Sequence, residues 1–356
     1  MMRLLILSFI CLAKLQACTG IRLSAQDGSI IHGRTLEFAV DLDTSVVVVP
    51  RGYAFPGTVL PGKGFLYRSK YAIVGAMLFD DLAVVDGINE KGLAVGTFYF
   101  PGYAQYATLS KDNQLLALSP IDFPSYLLAQ CASIEEVKAV LPKLAIANTA
   151  LPSWGNLTPP FHYIVYDLSG KCLVIEPIGG KLVAYENKLG VLTNSPTFDF
   201  HMTNLRNYIH LQPQNPPPLK MEGLLLSGFG QGAGMVGLPG DFTPPSRFVR
   251  AALFCSTALP SKSAEEALGQ AFHLLNQFDI PLGAVRSEGG KSDYTMMTCV
   301  RDPQALRYYF KTYSNQSILL VDLKTFDWNA KEVKRLKTQA ESEKIKDISS
   351  FLESHP

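Results

Sequence analysis

A cysteine that becomes the first residue of a processed chain carries two reactive groups at once. Residues 15 to 38 read LQACTGIRLSAQDGSIIHGRTLEF. Cleavage after Ala17 leaves Cys18 with a thiol and a free α-amine separated by two carbons. A thiol ordinarily titrates near ~8.5 and an α-amine near ~7.7–8, so part of the amine is unprotonated at neutral pH. It can then take the proton of the neighbouring thiol. This is a nucleophile with its general base attached. Arg34 and Glu37, a cation and a carboxylate, follow in the same stretch.

The segment before the cysteine reads as a short secretory signal. Arg3 supplies the positive start, Leu4 to Ala13 the apolar stretch, and Ala17 the small residue at the cut. Residues 1–17 are therefore expected to be removed and the mature protein exported, periplasmic or extracellular. Leu15-Gln16-Ala17-Cys18 also resembles a lipobox, in which the cysteine is lipidated and its amine acylated. Residues 1 to 18 alone leave both readings open.

Composition narrows the class. The 356 residues are 47% hydrophobic with a net charge of +1, enough apolar surface for a sizeable core and no bias toward a nucleic-acid partner. No apolar run after the leader has membrane-spanning length, so no stable membrane span is expected. Of six cysteines, Cys11 lies in the leader; the rest are too scattered for a metal site or a disulfide scaffold. Cys131, Cys172, Cys255 and Cys299 are expected as small buried apolar residues.

The elements that must position Cys18 follow in order. Thr19 to Ser24 and Ile30 to Thr35 form a hairpin around the Asp27-Gly28 turn, with Cys18 at its free end. Thr44 to Val49, Tyr71 to Leu78, Leu82 to Ile88 and Leu93 to Phe100 read as strands covered on both faces. Ser119 to Gln130 and Ser133 to Leu141 are expected helices, the second capped by Ser133. A second strand set is expected at His162 to Asp167, Cys172 to Pro177, Lys181 to Glu186 and Leu189 to Thr193. Further helices fall at His201 to His210, Arg247 to Ser256 and Ser263 to Phe278. Strands at Asp293 to Arg301, Leu306 to Thr312 and Ser317 to Asp322 close the set. The glycine-rich loop Gly228 to Gly240 lacks the Gly-Lys-Ser/Thr ending of a phosphate loop, which argues against nucleotide binding. From Asn329 the Lys/Glu-rich composition predicts a solvated helical tail over 329–356.

Five stretches in order carry a family resemblance: Cys-Thr-Gly at 18–20, Gly-Arg-Thr at 33–35, Asp-Gly-Ile-Asn-Glu-Lys-Gly-Leu at 86–93, Gly-Val-Leu-Thr-Asn-Ser-Pro-Thr-Phe-Asp at 190–199, and Gly-Leu-Pro-Gly-Asp-Phe-Thr-Pro-Pro-Ser-Arg-Phe at 237–248. They resemble the choloylglycine hydrolase family, which includes conjugated bile acid hydrolases and penicillin V acylases. The resemblance covers Cys18 to about Asp322 and implies an α+β fold, a four-layer αββα sandwich of two mostly antiparallel sheets, over a catalytic domain 18–328. It implies an N-terminal-nucleophile hydrolase of linear amides that needs no cofactor or metal. Cys18 then corresponds to the nucleophile, Arg34 and Arg247 to active-site arginines, and Asn194 to an oxyanion donor. The backbone N–H of Tyr99 corresponds to the second oxyanion donor. A cation beside the thiol is expected to lower its pKa.

Two positions depart from the family pattern. Glu37 stands where many members have an aspartate that contacts the N-terminal amine. Tyr99 stands where bile acid hydrolases usually have asparagine and penicillin V acylases often have tyrosine. By resemblance the substrate is a glycine- or taurine-conjugated bile acid, with penicillin V or acyl-homoserine lactones as alternatives. A homo-oligomer, by resemblance a tetramer, is expected, with Asn204 to Pro218 resembling the assembly extension. The alternative of another class is a lipid-anchored binding module that keeps the hydrolase fold.

Overall fold

The computed structural model describes residues 17–59, 64–80, 83–110, 116–287, 289–338 and 349. The expected signal up to residue 16, and most of the expected tail, lie outside the described residues. Two antiparallel sheets dominate. The strands of the first, in spatial order, are β1 (Cys18–Ser24), β2 (Ile30–Phe38), β10 (Ser292–Asp302), β11 (Arg307–Thr312) and β12 (Leu319–Asp322), with Val285–Arg286 paired to β10. The second contains β3 (Ser45–Val49), β4 (Ile73–Met77), β5 (Val84–Asn89), β6 (Ala94–Tyr99), β7 (Phe161–Tyr166), β8 (Cys172–Ile178), β9 (Lys181–Glu186) and β13 (Lys334–Lys337). Its spatial order is β9-β8-β7-β6-β5-β4-β3-β13.

Successive side chains of a strand point to opposite faces, and both faces of the second sheet are buried along its strands β3 to β8. Val46 and Val48, Ile164 and Tyr166, and Val174 join the core between the sheets. Val47 and Val49, Tyr163 and Val165, and Leu173 and Ile175 pack outward against α1 (Asp122–Gln130) and α2 (Ile134–Val140). That is why these strands read as continuous apolar runs. On the far side of the first sheet, α4 (Pro244–Thr257) and α5 (Ala264–Leu275) cover β1 and β2. The result is the four-layer αββα sandwich.

Local signals place the helix starts. Ser133 Oγ accepts from Glu136 N at 3.3 Å while the Glu136 carboxylate accepts from Ala132 N at 2.8 Å. Ser263 and Glu266 repeat the arrangement at the start of α5, with Lys262 N as the third partner. Each pair satisfies orphan N–H groups of the first turn reciprocally.

The structure corrects three expectations. Leu189 to Thr193 forms no strand; a single bridge joins Leu192 to Gly20. Asn187 explains the difference, because its side chain accepts from Gly190 N and donates to Val191 O, bending the chain where a ladder would run. The helix expected at His201 to His210 begins earlier, as α3 (Phe198–Asn204), and tightens into a 3-10 turn over Leu205–Tyr208. The domain does not stop at residue 328, because β13 pairs with the open edge of β3. Arg335 donates to Ser45 Oγ at 2.9 Å and Thr338 Oγ1 lies 2.5 Å from Thr44 Oγ1, so this part of the tail is strand and not helix. Its Lys and Arg side chains suit an edge strand, where charge blocks further pairing.

Candidate active site

Cys18 opens β1 and lies opposite Leu36 of β2, with Gly20 opposite Arg34. Directly opposed residues of an antiparallel pair share a face, so Cys18, Gly20 and Arg34 project toward the second sheet. Thr19, Thr35 and Glu37 project toward the helices. Gly20 is required by crowding: a Cβ there would sit 2.7 Å from the Phe98 ring. The Phe98 ring in turn lies 4.3 Å under the Arg34 guanidinium.

Arg34 is fully buried. Its Nη1 donates to Thr97 O at 2.5 Å and lies 3.7 Å from Asp86 Oδ2, while its Nη2 has no hydrogen-bond partner among the described residues. Asp86 is a hub. It accepts from Arg301 at 2.9 Å, Tyr308 OH at 3.0 Å and Cys299 Sγ at 3.2 Å. Burial disfavours the charge on Arg34, but Cys18, Asp86, Cys299 and Glu37 outweigh it and hold its pKa above the ordinary value. Sequence reading singles out Asp86 only as part of a motif. Its use as a buried anchor depends on β5 and β10 meeting across the sandwich.

On the helix face, Glu37 Oε1 accepts from Thr295 Oγ1 at 3.0 Å, and Oε2 is buried without a hydrogen-bond partner among the described residues. Burial pushes this carboxyl up to about 8, against the pull of Arg247 and Arg34. Its backbone N–H donates to Ala17 O at 3.0 Å, so the residue before Cys18 continues the hairpin.

Two residues distant in sequence complete the cluster. Asn194, on the segment after Leu192, accepts from Cys18 N at 2.8 Å and from Arg247 Nη2 at 2.7 Å through the same oxygen. Its Nδ2 donates to Tyr99 O at 2.8 Å. Arg247, in the first turns of α4, also donates from Nη1 to Cys18 O at 2.6 Å and to Thr19 Oγ1 at 2.9 Å. It is thus buried in the cluster and not a surface cap. Burial lowers its pKa to about 10 against the attraction of Glu37 and Cys18, so it stays charged at neutral pH.

The other five site residues expected from the sequence therefore meet around Cys18, Tyr99 through its carbonyl. Two details differ from expectation. With Ala17 attached, the Cys18 nitrogen is held by Asn194 Oδ1 and not by Glu37. The thiol pKa is raised, because desolvation outweighs the lowering effects of Arg34 and Arg247. Thr19 enters the sequence analysis only within the Cys-Thr-Gly stretch, and Thr295, a hydroxyl inside a strand pattern, gives no signal at all. An apolar cleft opens beside Cys18, lined by Leu36, Phe38, Tyr99, Trp154 and Phe161. Its rings meet edge-on, Phe38 to Trp154 at 5.8 Å and Trp154 to Phe161 at 5.3 Å. Among the described residues no cluster of three or more His, Cys, Asp or Glu could hold a metal, and no helix is long and apolar enough to cross a membrane.

Known proteins share this arrangement of sequence and fold. Residues 18–336 match the linear amide C–N hydrolases, choloylglycine hydrolase family. The chain is 34% identical over 324 residues to a bile salt hydrolase/transferase of Clostridium perfringens, covering 90% of this chain and 96% of the relative. It is 27% identical over 317 residues to a penicillin V acylase of Pectobacterium atrosepticum, covering 84% and 78% of the two chains. A crystal structure of a variant conjugated bile acid hydrolase from Clostridium perfringens superposes with a TM-score of 0.83 at 32% identity, over 93% of this chain and 100% of the other. With fold, length and motifs in agreement, the chain belongs to the choloylglycine hydrolase family and is a hydrolase of linear C–N amide bonds.

Proposed function

We propose that the chain is exported, loses residues 1–17 and cleaves glycine- or taurine-conjugated bile acids with Cys18 as N-terminal nucleophile. The hydrogen bond from Cys18 N to Asn194 Oδ1 carries this reading. Once Ala17 is gone, that nitrogen is an amine held beside its own thiol. It takes the thiol proton, and the sulfur attacks the substrate carbonyl carbon. An amide nitrogen carries two N–H groups. One of those on Asn194 serves Tyr99 O, leaving the other, with the Tyr99 N–H, for the tetrahedral oxyanion. The amine then returns the proton to the leaving nitrogen as the C–N bond breaks, and water releases the acyl group from sulfur. Arg34 and Arg247 favour the thiolate against the burial that disfavours it.

The bile acid assignment draws on the relatives' names. The aromatic cleft supports a second reading, a flat aryl acyl group such as phenoxyacetyl stacked against Tyr99 and Trp154. A lipid anchor fits poorly, since Cys18 is 5% exposed and its nitrogen is already engaged. Leu219, Met221, Leu224 and Leu226 are exposed on one face of the hairpin formed by Leu219–Met221 and Leu224–Leu226, just after the Asn204 to Pro218 stretch; an apolar patch of this kind supports a homo-oligomer. The test pairs the N-terminal mass of the exported protein with hydrolysis of conjugated bile acids, phenoxyacetyl amides and acyl-homoserine lactones. A free Cys18 and bile acid turnover are expected. Acyl chains on Cys18, or no turnover of any of these amides, would end this reading.

A further inference from the structure

The segment that carries Asn194 is not part of a sheet, yet it must hold a side chain beside Cys18. Two buried histidines grip its backbone. His162 Nε2 lies 3.0 Å from Thr193 O, and His201 Nε2 lies 2.8 Å from Asn194 O. Both side chains are fully buried. A carbonyl oxygen only accepts, so each Nε2 carries a proton and donates.

Each ring is held on a wall of its own. His162, on β7, stacks on Phe100 with ring centroids 4.3 Å apart, and its Nδ1 lies 3.2 Å from Glu176 Oε1 of β8. That carboxylate oxygen also accepts from Phe198 N, at the start of α3, at 2.9 Å. His201, on α3, stacks on Phe248 of α4 at 4.7 Å. Its Nδ1 is buried without a hydrogen-bond partner among the described residues. Burial lowers this imidazole to about 4, so at neutral pH it holds one proton, and the carbonyl geometry puts that proton on Nε2.

We propose that His162 and His201 are positioning residues that clamp the consecutive carbonyls of Thr193 and Asn194 and thereby aim the Asn194 amide at the reacting carbonyl. The clamp links the second sheet, α3 and α4 to one peptide segment. It rests on the reading of Asn194 as an oxyanion donor. An error in donor position of about an ångström can lower a rate by up to ~10²-fold, so the effect belongs in kcat and not in KM.

The experiment compares His201→Phe, which keeps a stacked ring but loses the donor, with His201→Gln, whose amide nitrogen can reach the same carbonyl. Both are measured on glycine-conjugated bile acid and a phenoxyacetyl amide, alongside Asn194→Ala and the double variant with His201→Phe. Rates are normalised to reactive Cys18 titrated with iodoacetamide, which discounts misfolded protein. The expected result is a roughly tenfold loss of kcat in His201→Phe with KM little changed, and recovery of most of it in His201→Gln. The double variant should be no slower than Asn194→Ala, because both changes act through one amide. Unchanged kcat in His201→Phe, a glutamine variant as slow as Asn194→Ala, or losses that multiply in the double variant would overturn the clamp. If His201→Phe does not fold, the glutamine variant decides alone. Normal kcat in Asn194→Ala would overturn the oxyanion reading itself, and the clamp with it.

Discussion

The two halves of the site are built in different ways. Cys18, Arg34 and Glu37 sit on one hairpin, where the register between β1 and β2 places them. Asn194 and Arg247 come from a bridged loop and a helix, and are held by side-chain contacts across separations of 176 and 229 residues. The hairpin half is insensitive to what lies before it, since Ala17 simply adds one more rung. The distant half has no ladder to impose its geometry. It depends on individual hydrogen bonds, so its precision is more easily lost.

The largest expected effect breaks the hairpin half chemically while leaving it folded. A chain that retains Ala17 or any single residue before Cys18 has an amide in place of the amine, and so no base. Hydrolysis should be abolished with an unchanged melting temperature. Turnover by a protein of confirmed extended mass would refute the N-terminal-nucleophile mechanism.

Next comes the distant half. Asn194→Ala removes the acceptor for Cys18 N and the donor proposed for the oxyanion. Loss of one such donor lowers kcat by about 10²–10³ with little change in KM, because the oxyanion forms only near the transition state. Steady-state kinetics check this. A normal kcat with a large rise in KM would make Asn194 a substrate-binding residue instead.

Glu37 sharpens the comparison through stability. Its folded pKa of about 8 lies above the ordinary carboxyl value of 4.5. The folded state therefore binds its proton more tightly than the unfolded state does. The stability this provides is fully present below pH 4.5 and is lost as pH rises through about 8. Glu37→Gln removes that titration. Its melting temperature relative to wild type should rise between pH 5 and pH 8, read by calorimetry across that range. A constant difference would mean that Glu37 ionises freely in the folded protein.

The smallest effect concerns the cleft. Tyr99→Asn should shift the ratio of kcat/KM values toward conjugated bile acids and away from phenoxyacetyl amides. A single pocket contact discriminates by about 1–3 kcal/mol. A ratio that stays put, or moves the other way, would leave selection to other residues of the cleft such as Trp154 and Phe38.

Much of this was legible because it is local. The turn at Asp27-Gly28 and the alternation around it define a hairpin, and Ser133 announces a helix start through its own hydroxyl. The spacing from Cys18 to Arg34 and Glu37 has meaning once the hairpin is drawn. Motif order brought Asn194 and Arg247 into view only through resemblance, since nothing near them in sequence points to Cys18.

Tertiary structure alone decided the rest. The faces on which Arg34 and Glu37 emerge depend on which layer packs against each side of β1 and β2. Residues from Asn329 onward carry the composition of a solvated helix, but the open edge of β3 offers unpaired backbone groups, and Lys334–Lys337 satisfies them as a strand. The raised thiol and Glu37 carboxyl follow from desolvation, which depends on how many atoms surround a group and not on its neighbours in the chain. The sequence by itself determined the short-range pieces, whose hydrogen bonds close within a turn or a hairpin. The site exists only where long-range packing brings β1, the Asn194 segment and α4 onto the two atoms of one cysteine, its nitrogen and its carbonyl oxygen.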